Sequence, residues 1–424
     1  VEGELTTKQR DRQLAEMTEN VAELVLRDNY LQTQALSMMQ QQGARLLPSL
    51  ARFMRDLESR GRLDRAVEFL PDDATVAARQ AAGIGLTRPE LSVLLAYAKS
   101  VLYSDLLESD LPEDPHFVTD LTKYFPRAVR RPFAPAIGKH RLRREIIATS
   151  IANSMVNRMG ISFISDIQED TEVGVAAIAR AYAVSRDAFE IRHLWAEIEL
   201  LDGKVPASLQ LSMLLSIGEL LRHATIWFLR SQSSISNLAS AVASYGPGIA
   251  RLAEQIGTLA STPVREAMTA RARELRDQGV PEALAATVAA LEPMAAALDL
   301  VEAAKATGRS IEDAAQVYFA LGERLGLDWL RRAAGQVQPA DYWQRLAINA
   351  AVEDLDVQQR LLTGAVLSSA NGAGPQAAVA AWEQRQGLVL GRIGKVVAEF
   401  TAAGSIDLAR LAIANRHLRA MRAN

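Results

Sequence analysis

Along most of the chain, apolar positions return every three or four residues. Leu142, Ile146, Ile147, Ile151, Met155 and Met159 trace one such stripe. The spacing predicts a helix from about His140 to Met159, with Ile147, Ile151, Met155 and Met159 buried along one side. Alternating β-branched runs between turn residues are nearly absent, and aromatic residues make up only 5%, so strand signals are weak. Helix starts are legible. Thr87 to Glu90 reads as a capping box, with Pro89 in the first turn, where a missing N–H costs nothing. Ser310 with Asp313 is a similar start, and Thr262-Pro263 and Val280-Pro281 mark two more. Breaks are expected at Gly83–Gly85, Pro112–Pro115, Pro126–Pro135, Gly203–Pro206, Gly246–Gly248 and Asn371–Pro375. The pattern predicts an all-α fold: a multi-helix bundle of two packed helical subdomains, with no Rossmann sheet.

The texture changes near Ser231. Before it lie long helices of mixed composition; after it come SQSSIS (Ser231–Ser236) and an alanine-rich half typified by Ala283–Ala304. This places domains at 1–231 and 232–424, the alternative being a loop inside one continuous bundle. Small residues in the second half let helices approach closely, and no fixed-period repeat marks a solenoid. The first helix, 8–42, carries Leu14, Met17, Val21, Leu24 and Leu31 at heptad-like steps, which suits packing against another helix. It reads either as a core helix of this bundle or as a connector that docks on a preceding domain.

Composition bounds the function. The 424 residues are 49% apolar and 23% charged, enough to bury a substantial core. A net charge of −3 argues against nucleic acid or an anionic membrane as an obligatory partner. With no cysteine, disulfides, thiolate metal sites and cysteine nucleophiles are excluded, which fits a reducing cytoplasm. The longest weakly polar run, Ala283–Val301, is interrupted by Glu292, Pro293 and Asp299 and falls short of the roughly 20 strongly apolar residues of a span. The polar start at Val1 shows no signal peptide and reads as a fragment or processed product.

The motifs of catalysis fail one by one. Gly246-Pro247-Gly248 is the nearest approach to a dinucleotide turn, but Arg251 stands where the third glycine belongs and no strand pattern precedes it. Gly394-Lys395 would need glycine at Val389 and a hydroxyl residue at Val396 to form a phosphate loop; Gly387, Gly391 and Gly394 read instead as close-packing positions on a helix. The histidines His116, His140, His193, His223 and His417 are scattered. Glu190, His193 and Glu197 share a helix face, yet such triplets are common on solvated helices, and a zinc site needs further convergent ligands. No GxSxG nucleophile elbow occurs. The sequence therefore offers no catalytic, cofactor-binding or metal residues.

The strongest charge anomaly is a run of cations without an acid: Arg127, Arg130, Arg131, Lys139, Arg141, Arg143 and Arg144, with His140 among them. Glu108, Asp110, Glu113 and Asp114 gather just upstream. The run reads as a solvated or internally paired surface, or as a contact with another domain or subunit. Nucleic-acid binding is least favoured, since the chain is slightly acidic and Pro132 and Pro135 break the run.

Three stretches carry a resemblance: LTRPELSVLLAYAKSVLYSDLLESDLPEDP (Leu86–Pro115), YFPRAVRRPF (Tyr124–Phe133) and HRLRREIIATSIANSMVNRMGISF (His140–Phe163). Together they resemble the C-terminal region of the large bacterial NAD-dependent glutamate dehydrogenases. VAELVLRDNYLQTQAL (Val21–Leu36) resembles the stretch that follows the catalytic domain in that family. The likeness continues through His223–Leu229 and becomes diffuse in the alanine-rich half. It implies a parent enzyme that oxidises L-glutamate to 2-oxoglutarate and ammonium with NAD in amino-acid catabolism. The lysine- and aspartate-containing pocket and the dinucleotide domain would lie upstream, so no catalytic residue carries over and this chain alone is expected to be inactive. Implied partners are the catalytic domain of the same polypeptide and further copies in a homo-oligomer, in the cytoplasm, with no nucleic acid and no membrane. The alternative is an independent helical scaffold or adaptor; the start at Val1 favours the first reading.

Overall fold

The computed structural model describes residues 5–231, 235, 237–337, 342–370, 372–402, 404 and 406–422. Among them every regular element is helical and no strand occurs. The chain divides into two compact units, one of Val1–Ser185 with Ala207–Ala239, the other of Arg186–Pro206 with Ser240–Asn424. Within the SQSSIS stretch, residues 232–234 and 236 lie outside the described residues, as does Asn371 of the last expected break.

The core of the first unit forms around helix Arg143–Met159, which packs on helices Arg88–Glu108 and Val118–Tyr124 and on the helix Thr7–Gln42. Ile147, Ile151 and Met155 are 0%, 2% and 1% exposed, as their spacing requires. Two expectations about this stripe need correction. The helix starts at Arg143, not His140, and Leu142 before it is 45% exposed. Met159 is only half-buried. Steps of four residues drift about 40° each around a helix, so by its third step the stripe has turned away from the core.

Helix Thr7–Gln42 opens on a capping box: the Gln9 amide donates to Thr6 Oγ1 at 3.3 Å, and the Thr6 amide to Gln9 Oε1 at 2.9 Å. Only its last turns are buried, at Gln34, Ala35, Leu36, Met38 and Met39. Leu14, Val21 and Val25 are 54%, 44% and 55% exposed, and Met17, Leu24 and Leu31 half so. The core-helix reading therefore holds for the last turns alone.

The capping signal at Thr87 is realised. The Thr87 amide donates to Glu90 Oε2 at 2.7 Å, and Arg79 clasps the same carboxylate at 2.7 and 3.0 Å. Just ahead, the backbone passes so close to Gly43 that a Cβ on Gly85 would lie 2.7–2.9 Å from Gly43 backbone atoms.

In the second unit, Gly246–Gly248 is no break. It lies inside helix Leu238–Leu259, with Pro247 in the interior. The bond lost at Pro247 is offset by burial of Tyr245, Ile249, Leu252 and Ile256 along one face. Gly248 lets Val301 approach, whose Cγ2 would sit 2.7 Å from an added Cβ. The alanine-rich run forms helices Glu282–Met294 and Ala297–Thr307, bent 62° at the break, and among the described residues no single helix is long and apolar enough to cross a membrane. Gly387, Gly391 and Gly394 do lie on a helix, Pro375–Ala402, but are exposed, and a Cβ on any of them meets nothing within 4 Å, so close packing is not their role.

Ser310 caps helix Ile311–Leu325 through the Asp313 amide at 3.0 Å, as its sequence foretells. One residue, Gly326 (φ +67°), ends that helix and starts helix Leu327–Gly335; a Cβ there would meet Val397 Cγ1 at 2.6 Å. Arg331 on the second of these helices ties three helices together. Its Nε donates to Asp356 at 2.7 Å, Nη1 to Asp328 at 3.2 Å and Nη2 to the Tyr318 hydroxyl at 3.3 Å. Nη2 also donates to Gln359, whose amide nitrogen donates to the Tyr318 carbonyl at 2.8 Å.

Candidate contact surface

The structure splits the basic run into three groups. Arg143 and Arg144 turn back onto Glu113, at 3.0 and 2.6 Å, and Arg144 also donates to the carbonyls of Leu107 and Ser109 at 2.7 and 3.0 Å. The hydrogen bond from Arg144 holds the Glu113 carboxyl below its ordinary range. Arg130 donates to the carbonyls of Phe125 and Lys123, both at 2.7 Å; burial, and then the neighbouring charge of Arg127, push its guanidinium down. These three cations fasten the turns around helices Arg127–Arg130 and Arg143–Met159.

Arg127 reaches the first helix, 3.7 Å from Glu23, with both side chains more than 60% exposed. Such a pair contributes little by itself. Arg131, Lys139 and Arg141 are exposed, and their side chains make no ion pair among the described residues. The outward-facing charge is thus Arg127, Arg131, Lys139 and Arg141, four of the seven residues the sequence singles out. Which cations turn inward was hidden in the sequence, because it depends on where Glu113 and the carbonyls of residues 107–125 come to lie.

Lys99 escaped the sequence reading, sitting on an ordinary amphipathic helix. Burial lowers its ammonium to about 8, with Asp28 of the first helix acting in the opposite direction. The folded-state value lies below the ordinary lysine value near 10.4, so the unfolded chain binds more protons between these limits. Stability contributed by this site is therefore lowest below about pH 8 and rises with pH through that window. Lys99→Met is expected to stabilise the chain at pH 7 by about 1–2 kcal/mol. In urea unfolding, the gap between variant and parent should close from pH 7 to pH 10; a gap that stays constant would show that Lys99 is fully solvated.

Beyond this surface the chemistry is sparse. Glu190 takes a left-handed conformation (φ 51°) ahead of helix Ile191–Glu199, while His193 and Glu197 stand on its exposed face. Among the described residues no three His, Asp or Glu side chains converge to hold a metal. The hollow lined by Thr262, Arg265, Glu266, Thr269, Ala270 and Arg273 belongs to one helix, Thr262–Asp277, and is an open flank. Gly246-Pro247-Gly248 is helix interior, so its amides cannot cradle a pyrophosphate.

The described residues form an all-helical fold with an outward-facing basic patch at Arg127, Arg131, Lys139 and Arg141. Residues 83–420 match the family model "Glutamate dehydrogenase, C-terminal", and residues 1–39 match "Bacterial NAD-glutamate dehydrogenase, catalytic domain". The chain belongs to the glutamate dehydrogenase C-terminal family. It is 41% identical over 417 residues to an NAD-specific glutamate dehydrogenase of Pseudomonas aeruginosa, covering 98% of this chain and 26% of that protein. A protein of the same name from Halomonas elongata is 40% identical over 87% of this chain and 23% of its own length. One from Mycobacterium tuberculosis is 31% identical over 99% and 26%. The chain spans about a quarter of the length of the curated relatives it matches.

Proposed function

We propose that this chain is the non-catalytic helical part of an NAD-dependent glutamate dehydrogenase that converts L-glutamate, NAD and water to 2-oxoglutarate, ammonium and NADH. Its role is to support the catalytic domain of the same polypeptide and the assembly of a cytoplasmic homo-oligomer. The observation that carries this reading is the division of the family matches: the C-terminal model spans residues 83–420, while the catalytic model touches only residues 1–39. NAD is assigned in this reading to the catalytic domain, the part that the second family model describes. Arg127, Arg131, Lys139 and Arg141 supply a charged surface for a neighbouring domain or subunit; arginine suits carboxylate partners at such contacts.

The purified 424-residue chain is expected to form no NADH from glutamate and NAD above a heat-killed control, whereas the enzyme containing the upstream segment does. Activity in the isolated chain would overturn the non-catalytic assignment. Gln at Arg127, Arg131, Lys139 and Arg141 together in the intact enzyme is expected to alter its native mass or turnover at low salt; both unchanged, with normal folding, would leave the charged contact without support.

A further inference from the structure

The first helix is clad at one end and bare at the other. Leu14, Val21 and Val25 fall within about 40° of one another around the helix axis, and Met17 and Leu24 widen the strip to about 100°, the width of a core-facing stripe. The same strip continues into Ala35 and Met39, and there the first unit covers it: both are 0–3% exposed. Between Leu14 and Val25 it stays largely open: Leu14, Val21 and Val25 are 54%, 44% and 55% exposed, and Met17 and Leu24 at its edge are half-buried. Arg127 reaches the helix at Glu23, on the side away from Leu14, Val21 and Val25.

Resting on the reading given above, we propose that the strip Leu14–Met17–Val21–Leu24–Val25 is the seat of the catalytic domain on this part of the enzyme. The catalytic family model runs through residue 39, so it takes in both the bare turns of the helix and the buried turns from Gln34 to Met39. One continuous helix, matched to the catalytic domain, is thus anchored in the helical part by its last turns and leaves its first turns bare. A second copy of the chain fits less well. The apolar register lasts barely two heptads before Asp28 occupies the next position, and a coiled coil needs three or four. Five aliphatic side chains also cover far less than the ~800 Å² per partner typical of stable free complexes. A covalently tethered neighbour needs no such area, because its effective concentration is already high.

The test compares hydrogen exchange across residues 10–26 in the full-length enzyme and in the 424-residue chain. Exchange is expected to be about tenfold or more slower in the full-length enzyme. Leu14→Gln, Val21→Gln and Val25→Gln together should remove that slowing, while the helicity and unfolding midpoint of the 424-residue chain stay unchanged. Equal exchange in the two proteins would overturn the proposal. So would slow exchange in the 424-residue chain accompanied by sedimentation as a dimer, which would make a second copy the occupant. A full-length protein that shows protection but no glutamate-dependent NADH formation would remove the enzymatic reading and leave the seat standing.

Discussion

Replacing Arg331 with Ala is expected to cost about 3–5 kcal/mol of the second unit's stability, because it leaves carboxylates stranded in a half-dry cluster. Asp356 and Asp328 retain only 14% and 25% of their side-chain exposure, and both face the guanidinium. Burial alone would lower Arg331, but Tyr318, Asp356 and Asp328 together hold it above its ordinary value. The Tyr318 phenol is pushed up, by burial first, so it stays a neutral hydrogen-bonding group. Arg331→Met combined with Asp356→Leu should recover part of the loss, since an apolar pair of similar size removes the drier of the two stranded carboxylates while Asp328 remains. Urea unfolding of the parent, single and double variants measures both effects. A single-variant loss under about 1 kcal/mol would mean that water already solvates the cluster.

Ile151→Ala carries the second large effect, expected at about 2–5 kcal/mol through lost burial and the cavity left behind. At 2% exposure, Ile151 sits where helix Arg143–Met159 meets its neighbours. Met159→Ala on the same helix is the control: half-buried beside Gly160, it should cost clearly less than Ile151→Ala. Thermal and denaturant unfolding of the two variants side by side reads the helix register directly. Equal costs would place the core on the other face.

The two stripes show what was legible in the sequence and what was not. Ile147, Ile151 and Met155 announced their burial because period and burial coincide over three turns, and Thr87 and Ser310 announced helix starts because capping is local chemistry. The first helix was equally periodic, yet period states only that a face is apolar, never what lies against it. Local signals failed again at Gly246–Gly248, where burial along a helix outweighed a proline. The basic run was visible as a run, but its division into anchored and outward-facing cations is a tertiary fact. Arg144 finds Glu113 and two carbonyls across some thirty residues of chain. Lys99 carried no sequence signal at all, since only packing distinguishes it from other helix lysines.

Gly326 has a dynamic consequence. A joint of one residue, in a left-handed conformation and pressed against Val397, has no slack in which one helix could swing while the other stays put. Arg331 closes the same elbow from inside, bridging Tyr318 on one arm to its own. Fluctuations that free helix Leu327–Gly335 must therefore also loosen helix Ile311–Leu325, and the two form a single opening unit whose amides are released together.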